Sequence, residues 1–230
     1  MEMKQNIQEL ERQNTGTAWT LNDEFEKNGY FVIKDLWDPN ELKCELPNQS
    51  GQLTYWGKEE NEYTKKDVEM QVQGSLSRYW YPQYRVIHYG IKNILEKKIS
   101  RKLYPTYYYD RFYFPGQELS PHVDRDACEI SVSVHIGTNI TGECSNWPFW
   151  IKTPDTYFDK KKEGIILHGK NKCVILSPGD GVVYKGAERP HWRESLKVEK
   201  NKKGLYYHQI FFHYVLQDGQ RAHCAWDRAR

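Results

Sequence analysis

The stretch that most limits the fold of this chain runs from residue 129 to residue 216, where short strand patterns alternate with turns. The pattern is clearest from 130 to 136, where isoleucines and valines alternate with serines and a histidine, the two-residue period of a strand with one buried face. Turns rich in Gly, Pro, Asn and Lys separate the predicted strands, which lie at 129–136, 148–152, 164–168, 172–176, 181–185, 190–195 and 204–216. Many short strands with such turns predict a jelly roll or a barrel.

Helices are predicted before this series. Leu21 and Phe25 are four residues apart and Gly29 suits a C-terminal stop, which indicates a helix over 21–28. The other elements predicted there are a strand over 30–33, a helix beginning at Asp38-Pro39 and an amphipathic helix over about 83–98. The long helix is expected to pack on the outside of the sheet, with His88 as a hydrogen-bonded core histidine.

Two neighbouring stretches are less regular. Residues 47–81 show no sustained period, so we expect irregular structure there, with possible short strands near 52–56. Aromatic residues at Trp56, Trp80 and Tyr81 are expected to fill gaps under this loop rather than touch a substrate. Residues 104–114 predict a pair of aromatic strands interrupted by Pro105.

Two imidazole groups and one carboxylate have the spacing of a metal site. His122 and Asp124 are two residues apart, and side chains two apart on a strand leave from the same face, so both can bind one ion. His191, which follows the run from Ser177 to Tyr184, is the predicted third ligand. Two histidines and one carboxylate on one side of a divalent metal form the facial triad of non-haem Fe(II) oxygenases, which leaves positions open for a cosubstrate and oxygen.

The residues around this pair resemble a known signature. The run from Tyr113 through Pro115-Gly116 to His122 and Asp124 is similar to the Y-x-x-G-x-x-x-x-x-H-x-D pattern of the 2-oxoglutarate, Fe(II)-dependent dioxygenases, closest to their prolyl-4-hydroxylase-like branch. The strand after Asp124 and the turn at 178–180 before the distal histidine also resemble the family's order of elements. The resemblance covers residues 104–217.

This resemblance implies a fold and a chemistry. The fold is mostly β with flanking helices around a double-stranded β-helix core of the jelly-roll or cupin-like type. The chemistry is that of Fe(II) held by His122, Asp124 and His191, with 2-oxoglutarate as cosubstrate and O2 as oxidant. In the family, 2-oxoglutarate is decarboxylated to succinate and CO2 while a second substrate is oxidised, most often by hydroxylation.

The family also implies a hydroxyl and a cation that hold the distal carboxylate of 2-oxoglutarate. Tyr113 is expected to supply the hydroxyl. The usual basic position falls on Asn201 here, so three other cations are considered. Arg193 is preferred, because it lies two residues after His191 and a guanidinium can grip a carboxylate through two parallel bonds. Lys203 and Lys152 are the alternatives.

Charge and cysteine content narrow the classes of function. The 230 residues include 33 Lys and Arg against 31 Asp and Glu, a balance that predicts no nucleic-acid or membrane partner. No stretch approaches the roughly 18 apolar residues of a membrane span. The five cysteines are widely spaced without a C-x-x-C pair, which argues against a disulfide framework or a zinc ribbon and favours a cytoplasmic protein.

One domain is expected over residues 1–230. Its predicted parts are N-terminal helices, strand and loops that support the core over 1–103, the catalytic double-stranded β-helix over 104–217, and a C-terminal tail over 218–230.

The substrate is left open by the sequence. A small molecule or a peptidyl group, with proline among the candidates, fits the resemblance. The aromatic run from Trp147 to Trp150 is a candidate wall for such a ligand, although core packing of Trp150 is an equal alternative. The remaining histidines are expected to be structural, at positions His135, His168, His208, His213 and His223.

Two other classes of function remain as alternatives. A cupin-like metalloenzyme would use no 2-oxoglutarate, but cupins usually present an H-x-H pair where this chain has H-x-D. A non-catalytic barrel that binds a ligand is the second alternative, and the intact ligand set disfavours it.

Overall fold

The computed structural model describes residues 21–43, 71–153, 169–199 and 203–227. Its helices are α1 (Leu21–Asn28), α2 (Pro39–Leu42) and α3 (Tyr84–Ile99). Its strands are β1 (Tyr30–Ile33), β2 (Leu76–Tyr79), β3 (Leu103–Tyr113), β4 (Leu119–His122), β5 (Ile130–Thr138), β6 (Phe149–Thr153), β7 (Lys170–Val174), β8 (Gly181–Tyr184), β9 (His191–Arg193) and β10 (Tyr207–Leu216).

The strands form two sheets. The major sheet has the order β1-β8-β5-β10-β3-β2 and the minor sheet has the order β4-β9-β6-β7. The strand pairs within each sheet are antiparallel. Because strands that follow one another in the chain pass back and forth between the sheets, the architecture is a double-stranded β-helix, as predicted.

The outer face of the major sheet is apolar and covered by the helices. The alternating residues Ile130, Val132, Val134 and Ile136 of β5 lie in one buried cluster with Ile87, Ile91, Leu95 and Ile99 of α3. Helix α3 therefore packs on the outside of the sheet, as expected from its amphipathic pattern. His88 lies in the same layer and its Nε2 contacts the backbone oxygen of His213 at 3.1 Å.

The inner face of the same strands is polar and aromatic. Ser131, Ser133 and His135 of β5 are buried there, on the side opposite the isoleucines and valines. Tyr109 of β3 and Phe211 of β10 are cross-strand neighbours on this face, and their rings stack at a centroid distance of 4.7 Å. Both faces of the sheet are therefore buried, the outer one against helices and the inner one against the interior of the barrel.

Three predictions about strands were wrong in detail. Residues 103–113 form one continuous strand rather than a pair, because Pro105 lies beside a bulge in the pairing of β3 with β10. On its other side β3 pairs with β2 only from Tyr109 to Phe112, so the missing N–H of Pro105 removes no bond from that ladder. Strand β2 itself was missed within the stretch taken as irregular, and β7 begins and ends two residues before the predicted 172–176.

Some predictions lie outside the described residues, among them the strand at 164–168 and the aromatic side chain of Trp56. Within the described ranges, no helix is long and apolar enough to cross a membrane.

Candidate metal centre

Strand pairing brings the two predicted histidine ligands together. His122 is the last residue of β4 and His191 is the first residue of β9, and the two are direct partners in the register of the minor sheet. Their ring centroids are 4.4 Å apart. Asp124 lies two residues beyond the end of β4, where its backbone N–H donates to the carbonyl oxygen of Gly186 at 2.8 Å. The carboxylate therefore extends from a loop, whereas the two-residue spacing predicts a strand.

The three side chains converge on one point. Asp124 Oδ1 lies 3.4 Å from His122 Nε2 and 3.5 Å from His191 Nε2. One potential ligand atom from each of the three residues falls within 4.8 Å of the other two, a spacing that suits a shared divalent ion. His191 is fully buried, while His122 and Asp124 are half-buried.

Backbone carbonyls orient both imidazole rings. His122 Nδ1 lies 2.8 Å from the oxygen of Ser120, and His191 Nδ1 lies 2.9 Å from the oxygen of Arg189. Because a carbonyl oxygen only accepts, each Nδ1 carries the proton and each Nε2 presents a lone pair toward the shared point. This is the tautomer that a metal-binding histidine needs.

The carboxylate is ionised and held in a fixed orientation. Burial alone would raise the pKa of Asp124, but the electrostatic influence of the neighbouring His191 and His122 holds this pKa well below its usual value. Asp124 Oδ2 accepts a hydrogen bond from Ser131 Oγ at 3.0 Å, which leaves Oδ1 facing the histidines. Ser131 Oγ also lies 3.0 Å from His213 Nδ1, so a chain of hydrogen bonds reaches from the carboxylate to β10.

Gly186 makes this close packing possible. A Cβ at position 186 would lie 2.4 Å from Asp124 Oδ2 and 2.5 Å from Ser131 Oγ, well inside van der Waals contact. Only glycine fits without displacing the carboxylate. The sequence does not predict these supports: it places Ser131 only in the alternating pattern of β5 and His213 only among the structural histidines.

Arg193 lies deeper in the barrel, on the same face of β9 as His191. Its side chain is buried, and its Nη1 donates to the backbone oxygen of Trp147. The guanidinium carbon lies 4.8 Å from the ring centroid of Trp147 and 5.6 Å from that of Tyr207. Burial lowers the pKa of Arg193. The face predicted for this residue from the two-residue strand period is therefore observed.

Several polar atoms on the inner face of the barrel lack a hydrogen-bond partner among the described residues. They are buried and belong to inward-facing side chains, namely Arg193 Nη2, Tyr207 Oη, Ser133 Oγ and both amide atoms of Gln209. Buried polar groups are normally hydrogen-bonded, so a cluster of them indicates a place for a polar ligand or for water.

Tyr113 lines the cavity that also contains the three candidate ligands and Arg193. Its ring is fully buried and meets the edge of Trp147 at 5.0 Å. Arg111 Nη1 lies 3.4 Å from its hydroxyl oxygen, which leaves the hydroxyl proton of Tyr113 able to donate to a ligand.

The two lysines considered as alternatives lie elsewhere. Lys152 is on the outer face of the minor sheet, where its Nζ donates to the backbone oxygen of Gly169 at 3.3 Å. Lys203 is exposed in the turn before β10. Neither lines the cavity of the metal centre. Asn201 and the lysines on either side of it lie outside the described residues.

The aromatic run at the start of β6 divides between two faces. Trp147 and Phe149 point into the barrel, and Phe149 lines the cavity beside His191 at a ring distance of 5.6 Å. Trp150 points outward and stacks on Trp192 at 6.1 Å. Only part of the predicted aromatic wall is therefore available to a ligand.

Arg111 and Gln71 form a second polar group at the mouth that the sequence did not reveal. Arg111 is 1% exposed, and its Nη1 donates to Gln71 Oε1 at 2.9 Å. Gln71 Nε2 lies 3.1 Å from His122 Nε2. No local sequence pattern predicts this contact, because Gln71 lies in a segment without periodicity and 51 residues from His122.

No family model matches the sequence, and no curated protein matches it either. Solved structures with a similar fold are found. An oxidoreductase of the 2OG-Fe(II) oxygenase family from Burkholderia pseudomallei is 11% identical with a TM-score of 0.58, covering 94% of this chain and 96% of that one. HygX from Streptomyces hygroscopicus, solved with nickel, 2-oxoglutarate and hygromycin B, is 12% identical with a TM-score of 0.55 over 83% and 84% of the two chains.

A third similar structure is a prolyl hydroxylase from Trichoplax adhaerens in complex with a hypoxia inducible factor peptide fragment. It is 14% identical with a TM-score of 0.50, and the match covers 91% of this chain and 92% of that one. At such identities the likeness concerns the fold. The chain therefore has the double-stranded β-helix fold of the 2-oxoglutarate oxygenases.

Proposed function

We propose that the protein is an Fe(II)- and 2-oxoglutarate-dependent oxygenase that hydroxylates a second substrate and releases succinate and CO2. The observation that carries the proposal is that β9 presents a metal-facing imidazole at His191 and a buried guanidinium at Arg193 on one face. A 2-oxo dicarboxylic acid needs a metal at one end and a cation at the other. The spacing of these two groups along a single strand fits such a ligand.

His122, Asp124 and His191 would hold Fe(II). Two imidazole nitrogens and one carboxylate oxygen are the donor set of the non-haem Fe(II) facial triad. The carbonyls of Ser120 and Arg189 keep the proton of each ring on Nδ1, so that each Nε2 has a lone pair, and Ser131 keeps Asp124 turned toward them. When bound, iron and 2-oxoglutarate supply the oxidising chemistry, and the protein supplies their orientation.

Arg193 would bind the distal carboxylate of 2-oxoglutarate, with the hydroxyl of Tyr113 as a further donor. A guanidinium in a desolvated pocket gains more from a carboxylate than from the neutral carbonyl of Trp147. The hydroxyl of Tyr207 and the amide of Gln209 lie on the same inner surface and offer additional hydrogen bonds.

The cavity between the triad and Arg193 has a volume of about 10 Å³, which is room for one water molecule. Side chains must therefore shift before a dicarboxylate can enter. Gln71 is the exposed member of the lining, at the mouth of the cavity, so it is the first side chain expected to move.

Two observations support a proposal for the class of the second substrate: the residues that line the cavity and the ligands of the similar structures. Tyr109, Phe149 and Phe211 make the cavity wall largely aromatic. Similar structures hold hygromycin B or a peptide fragment. We propose a small molecule or a peptidyl group with a flat or cyclic portion as the substrate of this chain.

The test is a measurement of turnover with purified protein. With Fe(II) and O2, the protein is expected to convert 2-oxoglutarate into succinate, and His122→Ala, Asp124→Ala and His191→Ala are each expected to abolish this conversion. Turnover that survives in all three variants would contradict the assignment of the metal ligands. Screening metabolites and peptides for stimulated succinate release would then identify the substrate.

Anaerobic calorimetry separates the alternatives. Tight Mn(II) binding without any 2-oxoglutarate binding would indicate a cupin-like metalloenzyme instead. Binding of both without turnover under any substrate would indicate a non-catalytic binding module.

A further inference from the structure

Gln71 occupies the nitrogen of His122 that a metal ion would need. Its amide nitrogen lies 3.1 Å from His122 Nε2. Because His122 Nδ1 carries the proton that binds the oxygen of Ser120, Nε2 has only a lone pair to offer. The amide N–H of Gln71 therefore donates to this lone pair. A lone pair that accepts this hydrogen bond is not available to a metal ion at the same time.

Arg111 sets the orientation of the Gln71 amide. Its Nη1 donates to Gln71 Oε1 at 2.9 Å, and its Nε donates to Ser77 Oγ on β2 at 2.8 Å. A guanidinium has donors only, so the amide oxygen must face Arg111 and the NH2 group must face His122. The contact with His122 is thus an oriented hydrogen bond anchored by a buried side chain.

The segment that carries Gln71 is attached to the barrel at neighbouring points. Val72 is buried in the same cluster as Tyr109, and the backbone oxygen of Gln73 accepts from Gln117 Nε2 at 3.1 Å. The side chain of Gln71 can therefore leave His122 by rotating, while the backbone of the segment stays in place. Its departure also uncovers the mouth of the small cavity behind it.

We propose that Gln71 is a gate residue that competes with the divalent metal for His122 and must swing away for the site to load. This inference rests on the metal site proposed above. Its consequence is that the free protein is held in a form that resists metal uptake. Removing the amide should then strengthen metal binding, which is the opposite of what a supporting residue would do.

The test is the affinity for Mn(II) measured by calorimetry without 2-oxoglutarate. Gln71→Ala is expected to lower the Mn(II) Kd by about threefold to tenfold, the equivalent of one ordinary hydrogen bond. Gln71→Asn keeps the amide but is one methylene shorter, so it cannot span from Arg111 to His122 and should behave like Gln71→Ala. Gln73→Ala is the matched control in the same turn and should leave the Kd unchanged.

A further variant sharpens the result. Gln71→Glu retains the length and the contact with Arg111 but replaces the donor by a carboxylate oxygen, so it should bind Mn(II) more tightly than Gln71→Ala. The proposal that Gln71 competes with the metal would be wrong if the Mn(II) Kd were unchanged or raised in Gln71→Ala and Gln71→Asn while both variants melted at the wild-type temperature. Failure of the wild type to bind Mn(II) at all would instead overturn the metal site itself.

Discussion

Phe211 and Phe212 are neighbours on β10 and face opposite sides of the major sheet. Phe212 is fully buried on the outer side, where its ring stacks on His88 at 5.6 Å. Phe211 faces the barrel interior, where it stacks on Tyr109 and lines the cavity of the metal centre. The two rings are buried to nearly the same degree, so burial alone does not separate a core position from a site position.

The polar groups on the two faces do distinguish the core side of the sheet from the side that lines the candidate site. On the outer face, Arg78 Nε donates to Asp110 Oδ1 at 3.0 Å, and His208 Nε2 lies 2.8 Å from Asp110 Oδ2. On the inner face, Arg193 Nη2 and the amide of Gln209 have no partner among the described residues. A face that satisfies its polar groups internally contributes stability, while a face that leaves them open is arranged to bind something else.

The largest expected effect is on the outer face, at the ion pair. Arg78→Met should lower the free energy of unfolding by about 3–5 kcal/mol, because it leaves the fully buried carboxylate of Asp110 without its guanidinium. Urea denaturation at neutral pH measures this loss. If the variant is as stable as the wild type, the outer face is not the stabilising one and the comparison fails.

The phenylalanine pair should give a smaller and unequal effect. Phe212→Ala is expected to lower the free energy of unfolding by about 3 kcal/mol, since the cluster around it is mostly apolar and the cavity would stay empty of water. Phe211→Ala should cost less, because water can enter and bind the open polar groups of the inner face, and the apparent KM for 2-oxoglutarate should change instead. Equal losses of stability, measured by urea denaturation, would contradict the distinction.

Arg193→Met should separate stability from function. The apparent KM for 2-oxoglutarate is expected to rise about 10-fold or more, given about 1.5–3 kcal/mol for a hydrogen bond to a charged group, while Mn(II) binding survives. The free energy of unfolding without ligand should not fall, because replacing a buried cation that lacks a charged partner by an apolar side chain of similar volume is neutral or stabilising.

Lys203→Ala and Lys152→Ala are the controls for Arg193. Both lysines lie away from the cavity, so neither substitution should change the KM for 2-oxoglutarate. If either lysine substitution raised the KM and Arg193→Met did not, the cation that binds the distal carboxylate would be that lysine and not Arg193.

The smallest effect concerns the pH dependence of stability through His88. Burial on the outer face lowers the pKa of His88 from 6.5 to about 3. His88 of the unfolded chain therefore takes up a proton below about pH 6.5, whereas in the folded chain it stays neutral down to about pH 3. Because the unfolded state binds the extra proton, the free energy of unfolding falls as the pH is lowered through this window. His88→Phe should flatten the fall by up to about 1.4 kcal/mol per pH unit.

Urea denaturation of the wild type and His88→Phe at pH 7, 6 and 5 tests this expectation. The difference in stability between the two proteins should shift in favour of the variant as the pH falls. A constant difference across the series would mean that His88 is not held neutral.

Periodicity predicted more of the fold than of the site. The alternation from 130 to 136 correctly indicated a strand and its apolar face, and the spacing of His191 and Arg193 correctly placed them on one face. Both inferences depend only on the pleat of a single strand, which is a local property of the backbone. The same reasoning left β2 unrecognised, since four residues that include a serine and an arginine carry no clear alternation.

The pairing of distant segments was decided by the tertiary structure alone. Sequence by itself determined that this chain is rich in short strands, that His122, Asp124 and His191 are candidate ligands, and that Arg193 follows the last of them on its own strand face. It did not determine that Ser131 and His213 would support Asp124, or that Gln71 would reach His122 from a turn. Ser131 and Asp124 are 7 residues apart, but His213 lies 82 residues from Ser131 and Gln71 lies 51 residues from His122. The long-range contacts arise because the order of strands in the two sheets brings particular inner faces together, which no local pattern encodes.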